Sequence, residues 1–336
     1  AAYLGTAHTV GCASGTDALL LALMALDLGP GDEVITTPFS FFATASCVTR
    51  LGATPIFADV MPDSYNIDPK EVLRKISPRT KAVIPVHLFG QMSRVEEFAP
   101  RLAEKGISIV EDCAQAIGST RSVDGKTLRA GAVGELGCFS FFPTKNLGCF
   151  GDGGLISVSS ERLDRRLRSL RAHGSGEQYF HDEVGLNSRL DELQAAILRV
   201  RLRHLETWNE ERRLVAERYR ILFAEQDLGE WVTPPLEEKG NRHIYHQYVI
   251  RCRSRDLLKE DLARRGITTR VYYPLSLHLQ PCFSYLGYGR GDMPVSENLT
   301  EEVLALPIFP ELEPGEQERV VQAISDFYRR QKSDHS

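Results

Sequence analysis

Short apolar segments alternate with helical patterns through the first half of the chain, and this alternation restricts the possible folds more than any other feature. We predict strands at 33–36, 54–58, 82–86 and 107–111, with helices between them at 42–51, 69–76 and 94–105. Strands and helices that alternate at this spacing predict an α/β fold with a doubly wound, mostly parallel sheet. The strand segments lack an alternation of polar and apolar residues, which is typical of a sheet covered by helices on both faces.

The composition changes after about residue 160, where charged and helix-forming residues become more frequent. Helices are predicted at 161–171 and 188–224, and the second is long enough to connect two domains. The pair Pro234-Pro235 marks a loop, and the strand at 245–251 and the helix at 257–265 predict a small C-terminal α+β domain. We therefore expect a large α/β domain at 1–205, a long helix and small domain at 206–331, and a tail at 332–336.

Charge and composition exclude several classes of protein. The 40 basic residues against 45 acidic ones give a net charge of −5, which argues against a nucleic-acid-binding protein. The longest apolar run, 18–26, has about half the length that a membrane span needs. The seven cysteines include no C-x-x-C pair, which favours reduced thiols in a cytoplasmic protein. Because the chain begins with Ala-Ala-Tyr rather than Met, we expect that an N-terminal segment is missing.

A first candidate site lies at 12–18, where Cys-Ala-Ser-Gly-Thr-Asp-Ala leads directly into the apolar run. A turn of small residues at a helix start leaves backbone N–H groups free, and the helix dipole is positive there. This arrangement suits a phosphate, and Thr16 adds a hydroxyl. The alternative is that Ser14 simply caps a helix, because caps are far more common than phosphate sites.

A second candidate site follows the strand predicted at 107–111. The run Ile109-Val-Glu-Asp-Cys-Ala-Gln115 places acidic residues at the carboxyl end of a strand, where open α/β sheets bind ligands. Asp112 and Gln115 would both point into that crevice. A strand-end acid that caps a turn remains the alternative.

A third candidate site contains Lys145, which follows an aromatic strand at 137–142 and precedes the glycine cluster 151–154. Lysine is rarely buried without a function, and a lysine beside aromatic rings loses its proton readily. The neutral amine is a nucleophile toward carbonyl groups. A lysine in a surface turn is the alternative. The glycines do not have the spacing of a dinucleotide-binding motif.

Other common catalytic motifs are absent from the sequence, including H-E-x-x-H, G-x-S-x-G and the P-loop. The nine histidines are not clustered at metal-ligand spacing, so we predict no metal site. His87 lies in the apolar run 83–89 and is interpreted as a core histidine with satisfied hydrogen bonds rather than a catalytic one.

One cofactor accounts for the three candidate sites together. Pyridoxal phosphate requires a lysine for its Schiff base, an acid beside its ring nitrogen and a phosphate site at a helix start. The chain offers Lys145, Asp112 and 14–17 for these roles. The order of phosphate site, acid and lysine resembles that of fold type I aminotransferases.

More narrowly, the chain is similar to the DegT/DnrJ/EryC1/StrS family of sugar aminotransferases over nearly its whole length. The matching stretches are Ser14-Gly-Thr-Asp-Ala-Leu19, Gly31-Asp-Glu-Val-Ile-Thr-Thr-Pro38, Gly52-Ala-Thr-Pro55, Tyr65-Asn-Ile-Asp-Pro69, Glu111-Asp-Cys-Ala-Gln115, Ser140-Phe-Phe-Pro-Thr-Lys145, Gly185-Leu-Asn-Ser-Arg-Leu-Asp191, Tyr273-Pro274 and His278-Leu-Gln-Pro281. The resemblance implies a fold type I aminotransferase with a large, mostly parallel-sheet domain and a small C-terminal α+β domain.

The resemblance also implies roles for the residues around the cofactor. Lys145 would hold pyridoxal phosphate and move protons, Asp112 would pair with the ring nitrogen, and Gln115 would contact the ring hydroxyl side. The phosphate would be bound by Gly15, Thr16 and Ser140.

Phe41 would stack on the cofactor ring, because the family has an aromatic residue at this point. The stretch 38–41 is one residue shorter than in many relatives, so Phe42 is the alternative stacking ring.

The family's remaining roles concern the partner subunit and the substrate. Asn187 would reach the phosphate of the cofactor in a second copy of the chain, which implies a homodimer with shared active sites. The substrate candidates are Arg189, for the acidic groups of the substrate, and Tyr272, Tyr273 and His278.

The loop 173–181 and the stretch that follows are similar to those of enzymes that aminate UDP-linked 3-keto sugars in bacterial surface-polysaccharide pathways. The leading hypothesis is therefore amino transfer from L-glutamate to a keto nucleotide sugar, with 4-keto and dTDP-linked sugars as alternatives. A sugar dehydratase on this fold would have histidine in place of Lys145. A regulatory protein without turnover would be expected to have lost Lys145 or Asp112, and both are present.

Overall fold

The structure is a computed structural model, and it describes residues 1–177 and 179–334. The strands are β1 (His8–Cys12), β2 (Glu33–Thr36), β3 (Thr54–Phe57), β4 (Thr80–Ile84), β5 (Ser108–Asp112), β6 (Thr120–Val123), β7 (Lys126–Arg129), β8 (Leu136–Ser140), β9 (Gly154–Val158), β10 (Ser175–Glu177), β11 (Phe180–His181), β12 (Val232–Thr233), β13 (Asn241–Arg242), β14 (Tyr248–Cys252) and β15 (Val303–Leu306). The helices are α1 (Gly15–Ala25), α2 (Ala43–Arg50), α3 (Pro69–Lys75), α4 (Ala99–Glu104), α5 (Glu161–Leu170), α6 (Glu192–Arg201), α7 (Leu205–Glu225), α8 (Arg255–Arg264), α9 (Pro294–Glu302) and α10 (Pro314–Asp334).

A seven-stranded sheet with the order β1-β9-β8-β5-β4-β2-β3 forms the centre of the molecule. Strands β3, β2, β4, β5 and β8 are parallel, and β9 runs antiparallel to both of its neighbours, β8 and β1. Helices α2, α3 and α4 connect β2 to β3, β3 to β4 and β4 to β5, because parallel strands need a crossover connection, whereas the antiparallel pair β6 and β7 lies between β5 and β8. The predicted α/β fold with a mostly parallel sheet is confirmed.

Helix α1 is buried among the sheet and the neighbouring helices. Its sequence is apolar almost throughout, and Leu19, Leu21 and Leu23 are 2%, 0% and 0% exposed. An apolar helix without a polar face is typical of a helix surrounded by protein. It packs on β8 and β9 together with α2 and α5, so its first turn has a fixed position beside the sheet.

Two predicted helices have different boundaries in the structure. The helix predicted at 94–105 is a 3-10 turn at Val95–Glu97 followed by α4, because Pro100 is tolerated in the first turn of a helix but not in its interior. The helix predicted at 188–224 begins only at Glu192, and a 3-10 turn at Leu202–His204 separates α6 from α7. Residues before 192 are held in an extended conformation, because Asn187 forms a β-bridge with Ala172.

The carboxyl-terminal part contains a smaller antiparallel sheet with the order β12-β14-β15. Helices α7, α8 and α10 cover it and share a second apolar core around Tyr219, Tyr248 and Ile324. Strand β13 lies beyond the long helix but pairs with β6 in the first half of the chain. The division at 205–206 stays a prediction. Helix α10 ends at Asp334, within the tail predicted at 332–336, and residues 335 and 336 lie outside the described part.

Among the helices of the described residues, none combines the length and the apolar character that crossing a bilayer requires.

Candidate active site

The three predicted motifs meet at one edge of the large sheet. Strands β1, β5 and β8 end there, and β9 begins there because it runs in the opposite direction. Gly154 at the start of β9 pairs with Cys12 on one side and with Ser140 on the other. This register brings the segments that follow β1 and β8 together, although about 125 residues separate them in the sequence.

The start of α1 is packed tightly against the end of β8. A Cβ atom placed on Gly15 would lie 2.6 Å from the Cβ of Ser140, so this close approach requires glycine. The Ser14 hydroxyl accepts a hydrogen bond from the backbone N–H of Asp17 at 3.1 Å. Ser14 is thus a helix cap, and the first-turn N–H groups of α1 lie next to the Ser140 hydroxyl.

Lys145 lies in the loop after β8, and its side chain is partly buried. Its backbone N–H donates to the carbonyl oxygen of Phe142 at 2.8 Å, which closes a turn. Burial lowers the pKa of Lys145 to about 8, and the negative charge of Asp112 opposes this shift. The alternative of an ordinary surface lysine does not fit this position.

Asp112 is the last residue of β5 and is 5% exposed. Its Oδ2 accepts a hydrogen bond from the Thr44 hydroxyl at 2.8 Å, and its Oδ1 accepts one from the N–H of Ala114 at 3.2 Å. Burial raises the pKa of Asp112, while these hydrogen bonds and the charge of Lys145 oppose that rise. The carboxylate would therefore be stabilised by a further cation.

We predict that, in the protein without bound ligands, the Lys145 amine reacts as a nucleophile at a lower pH than an ordinary lysine does. With a pKa of about 8, about one tenth of the amine is uncharged at pH 7, and the neutral fraction rises as the pH increases through 8. Acylation of Lys145, followed by mass spectrometry of its peptide, measures this midpoint, with the exposed Lys105 as reference. A midpoint at the ordinary lysine value of 10.5 would contradict the burial described above.

Gln115 joins two parts of the chain at the same edge. Its Oε1 accepts a hydrogen bond from the N–H of Phe89 at 2.7 Å, and its Nε2 donates to the Tyr273 hydroxyl at 3.1 Å. The ring of Tyr273 packs edge-on against Phe39 at 5.9 Å. The carboxyl-terminal segment that contains Tyr272 and Tyr273 therefore reaches the edge at which Asp112 lies.

Phe41 and Phe42 have different environments at the start of α2. Phe42 is 42% exposed and packs against Phe283, with 5.6 Å between the ring centres, whereas the Phe41 side chain is 60% exposed. An exposed ring at this edge is available to a ligand. This difference favours Phe41 over Phe42 as the stacking ring, and the assignment stays a prediction.

Asn187 and Arg189 lie on an exposed segment beside the start of α1. The Nε of Arg189 donates to the Oδ1 of Asn187 at 3.1 Å, and both residues are exposed. Ser188 between them is buried, donates to Asp17 at 2.7 Å and accepts from the N–H of Ala13 at 3.2 Å. Asp191, and not Asn187, directly precedes the first residue of α6.

His278 is 1% exposed and lies in an apolar cluster beside Phe57 and Tyr288. Its Nε2 is 3.1 Å from a carboxylate oxygen of Glu297. Burial lowers the pKa of His278, although Glu297 opposes this shift. Its role toward a substrate, like that of Tyr272, stays a prediction.

His87 lies under this site and is completely buried, as predicted for a core histidine. The N–H of Ser93 donates to its Nδ1 at 3.0 Å, so the ring donates through Nε2 to Glu111 at 2.8 Å. Cys113 is close to both, but burial raises the pKa of its thiol far above the usual value. The ring nitrogens of His87 are thus both hydrogen-bonded within the core.

Sequence reasoning missed Thr44 and Ser188 as supporting residues. Thr44 is the second residue of α2, which has no acidic residue in its first turn, and its contact with Asp112 depends on the packing of α2 against the sheet. Ser188 lies within a stretch that resembles the family, but only the structure relates its hydroxyl to Asp17.

The residues at this edge fit pyridoxal phosphate. Helix α1 offers N–H groups beside Ser140, where a phosphate would be bound. Among the described residues, Asp112 has hydrogen bonds but no salt bridge, and a protonated ring nitrogen would supply its counter-charge. The amine of Lys145 is partly neutral at physiological pH, as a nucleophile toward an aldehyde must be.

This fold and this site define an aminotransferase of fold type I. The chain belongs to the DegT/DnrJ/EryC1/StrS aminotransferase family, whose model matches residues 1–325. Enzymes of this family depend on pyridoxal phosphate, as the resemblance of the sequence motifs implied.

Three characterised relatives match nearly the whole chain. A "pleiotropic regulatory protein" of Geobacillus stearothermophilus is 48% identical over 98% of this chain and 87% of its own. A UDP-N-acetyl-3-dehydro-α-D-glucosamine 3-aminotransferase of Acidithiobacillus ferrooxidans is 45% identical over 95% of this chain and 84% of its own. A dTDP-3-amino-3,4,6-trideoxy-α-D-glucose transaminase of Streptomyces venezuelae is 41% identical over 98% of this chain and 85% of its own.

The fold is also shared with a solved structure. The crystal structure of DesV from S. venezuelae in complex with a ketimine intermediate superposes with a TM-score of 0.92. That protein is 40% identical, and the match covers 97% of this chain and 86% of the other.

Proposed function

We propose that the protein transfers an amino group from L-glutamate to a keto nucleotide sugar, with a UDP-linked 3-keto sugar as the natural acceptor. The observation that supports this most strongly is the pair formed by Lys145, a lysine of lowered pKa, and the buried carboxylate of Asp112. Pathways of bacterial surface polysaccharide or amino-sugar synthesis in the cytoplasm would use such a product.

Each residue of the site has a separate task in this reaction. Pyridoxal phosphate, when bound, supplies an electron-withdrawing ring that stabilises negative charge on the carbon that carries the amino group. Asp112 keeps the ring nitrogen protonated through its buried carboxylate. The Lys145 amine anchors the cofactor and moves a proton at its Nζ. Gly15, Thr16 and Ser140 hold the phosphate at the start of α1.

The choice of substrate class rests on relatives and on one exposed cation. The UDP-sugar relative is 45% identical and the dTDP-sugar relative 41%, and both are named for amino groups at carbon 3 of the sugar. Arg189 is exposed next to the site and is suited to the diphosphate of a nucleotide sugar. The names of the two relatives favour a 3-keto acceptor over a 4-keto one, and the higher identity of the UDP-sugar relative favours UDP over dTDP.

A panel of four acceptors tests this choice: UDP-linked and dTDP-linked sugars, each with the keto group at carbon 3 or at carbon 4. We expect the UDP-linked 3-keto sugar to give the highest kcat/KM with L-glutamate, and both 4-keto sugars to give the lowest. Conversion of glutamate to 2-oxoglutarate measures turnover, and NMR of the product locates the new amine. Preference for a 4-keto acceptor would contradict the assigned carbon, and preference for dTDP would contradict the assigned nucleotide.

We also propose that two chains share each active site, with Asn187 of one chain at the cofactor phosphate of the other. Asn187 is exposed in the single chain, and its side-chain oxygen accepts a hydrogen bond from the neighbouring, equally exposed Arg189. Nearby apolar side chains are also exposed, with Leu193 at 71% and Phe150 at 73%. Exposed apolar side chains that lie together are one mark of a protein interface, and the Phe150 N–H contacts Gln194, the residue after Leu193.

A mixture of two inactive variants tests the shared site. Lys145→Ala and Asn187→Ala chains, unfolded and refolded together, should form heterodimers in which one site has both defects and the other has neither. We therefore expect activity to rise above that of either variant alone, with separately refolded and then mixed samples as the control. A fully active monomer in sedimentation would contradict the shared site.

A regulatory role is the second candidate, because a relative that is 48% identical is named a regulatory protein. Lys145 and Asp112 are both retained and lie at one edge of the sheet, which supports turnover. The presence of Lys145 likewise argues against a dehydratase. A protein that binds pyridoxal phosphate and does not consume glutamate with any acceptor would support the regulatory role instead.

A further inference from the structure

A buried chain of hydrogen bonds begins at the residue that follows Lys145. Asn146, Asn209 and His246 are 5%, 0% and 5% exposed. Asn146 Nδ2 donates to Asn209 Oδ1 at 2.7 Å, and Asn146 Oδ1 is 3.1 Å from His246 Nδ1. Asn209 belongs to α7, and His246 lies just before β14. Three distant parts of the chain therefore meet at Asn146.

Two backbone carbonyl groups fix the direction of the hydrogen bonds that join Asn146, Asn209 and His246. Asn209 Nδ2 donates to the carbonyl of Ile117 at 3.2 Å, and Asn146 Nδ2 also donates to the carbonyl of Ile244 at 3.3 Å. Because a carbonyl oxygen only accepts, both amide nitrogens face the carbonyls and both amide oxygens are left as acceptors. The bond between Asn146 Oδ1 and His246 must then be donated by Nδ1–H.

The surroundings of His246 keep its ring uncharged. The ring is buried, and the charged groups that act on it are Lys145 and Arg212, both of which are cations. Arg212 is itself buried and donates to the carbonyls of Tyr245 at 3.2 Å and of Ile308 at 3.1 Å. Burial, Lys145 and Arg212 together hold the pKa of His246 well below its usual value.

We propose that Asn146 is a positioning residue for Lys145, and that Asn209 and His246, with its ring hydrogen on Nδ1, hold Asn146 in place. The N–H of Lys145 is fixed on one side by the carbonyl of Phe142. The side chain of Asn146 fixes the backbone on the other side, so the Lys145 amine is held at a constant position relative to Asp112. A fully satisfied buried network specifies one arrangement of the groups that it joins.

This inference rests on the proposed function only in so far as Lys145 is the catalytic lysine. The hydrogen position on His246 follows from the contacts alone and is measurable without cofactor or substrate.

Two substitutions of His246 separate the roles of its ring nitrogens. In His246→Asn the amide nitrogen takes a place close to that of Nδ1, whereas in His246→Gln it takes a place close to that of Nε2. We expect His246→Asn to keep kcat within a few-fold of the original. Asn146→Ala and His246→Gln should lower kcat by about a hundredfold with little change in KM, because a small displacement of a reacting group has an effect of this size.

The Lys145 amine gives a readout that does not require turnover. In cofactor-free protein, Asn146→Ala and His246→Gln should raise the pKa of Lys145 toward its ordinary value, because the loosened loop admits water. Asn241→Ala is the matched control: Asn241 is also a buried asparagine, and its Nδ2 donates to the Met92 carbonyl at 3.3 Å. This variant should lower stability and leave the pKa of Lys145 unchanged.

The direct test is the ¹⁵N NMR spectrum of the His246 ring in the unsubstituted, cofactor-free protein. We expect a protonated Nδ1 and a bare Nε2, without titration across the pH range in which the protein stays folded. A hydrogen on Nε2, or titration at the ordinary histidine value, would overturn the proposal. Equal activity of His246→Asn and His246→Gln would overturn it as well. If instead Lys145→Ala remained active, the proposed function would fail while the NMR result would still stand.

Discussion

Replacement of Lys145 by alanine is expected to abolish transamination and leave the fold intact. The side chain is only partly buried and its ammonium form is disfavoured there, so its removal does not break a structural ion pair. Among the motif residues, no other side chain offers an amine to the cofactor. None can take over the proton transfer assigned to the Nζ atom of Lys145. Turnover of glutamate and the absorption band of the lysine-bound cofactor are both expected to disappear.

A matched lysine variant controls for this loss. Lys105 is exposed in the loop that follows α4, and Lys105→Ala should retain full activity and the full absorption band. Circular dichroism should show the same fold for both variants. Normal turnover by the Lys145→Ala variant would show that Lys145 has no catalytic role.

Replacement of Asp112 by asparagine is expected to slow the reaction strongly while cofactor binding persists in part. The amide retains the size of the carboxylate but carries no charge to keep the ring nitrogen protonated. The loss of such a charged contact raises the barrier by a few kcal/mol, at about tenfold in rate per 1.4 kcal/mol. Steady-state kinetics with glutamate as the donor measures this effect.

The same variant has a second effect that does not depend on catalysis. The charge of Asp112 raises the pKa of Lys145, so Asp112→Asn should lower the acylation midpoint of Lys145 below about 8. Asp63→Asn, at an exposed aspartate, is the control and should change neither the rate nor the midpoint. A rate within twofold of the original, or an unchanged midpoint, would count against Asp112 in this role.

The positions of Asp112 and Lys145 illustrate how far sequence reasoning reaches. Asp112 ends one apolar strand and Lys145 follows another, and carboxyl ends of parallel strands lie at the same edge of a sheet. The sequence therefore predicted both the edge and the residues on it. The pairing of Ser140 with Gly154, which brings Gly15 to this edge, depends on the antiparallel β9, and no local pattern predicts that reversal.

The supporting contacts required tertiary structure. Thr44 reaches Asp112 only because α2 packs beneath the sheet edge, and Asn209 reaches Asn146 across 63 residues of sequence. The helix predicted from 188 failed for a related reason. Ser188 has adequate helix propensity, but its hydrogen bonds to Asp17 and Ala13 hold the backbone outside a helix until Glu192.

The central claim is that Lys145 carries pyridoxal phosphate in an enzyme that takes an amino group from L-glutamate. The most direct measurement is the absorption spectrum of the purified protein after loading with pyridoxal phosphate. We expect a band in the near-violet that L-glutamate bleaches with formation of one equivalent of 2-oxoglutarate, that D-glutamate leaves unchanged, and that the keto sugar restores. A loaded protein whose band persists in L-glutamate, with no 2-oxoglutarate formed, would contradict the claim.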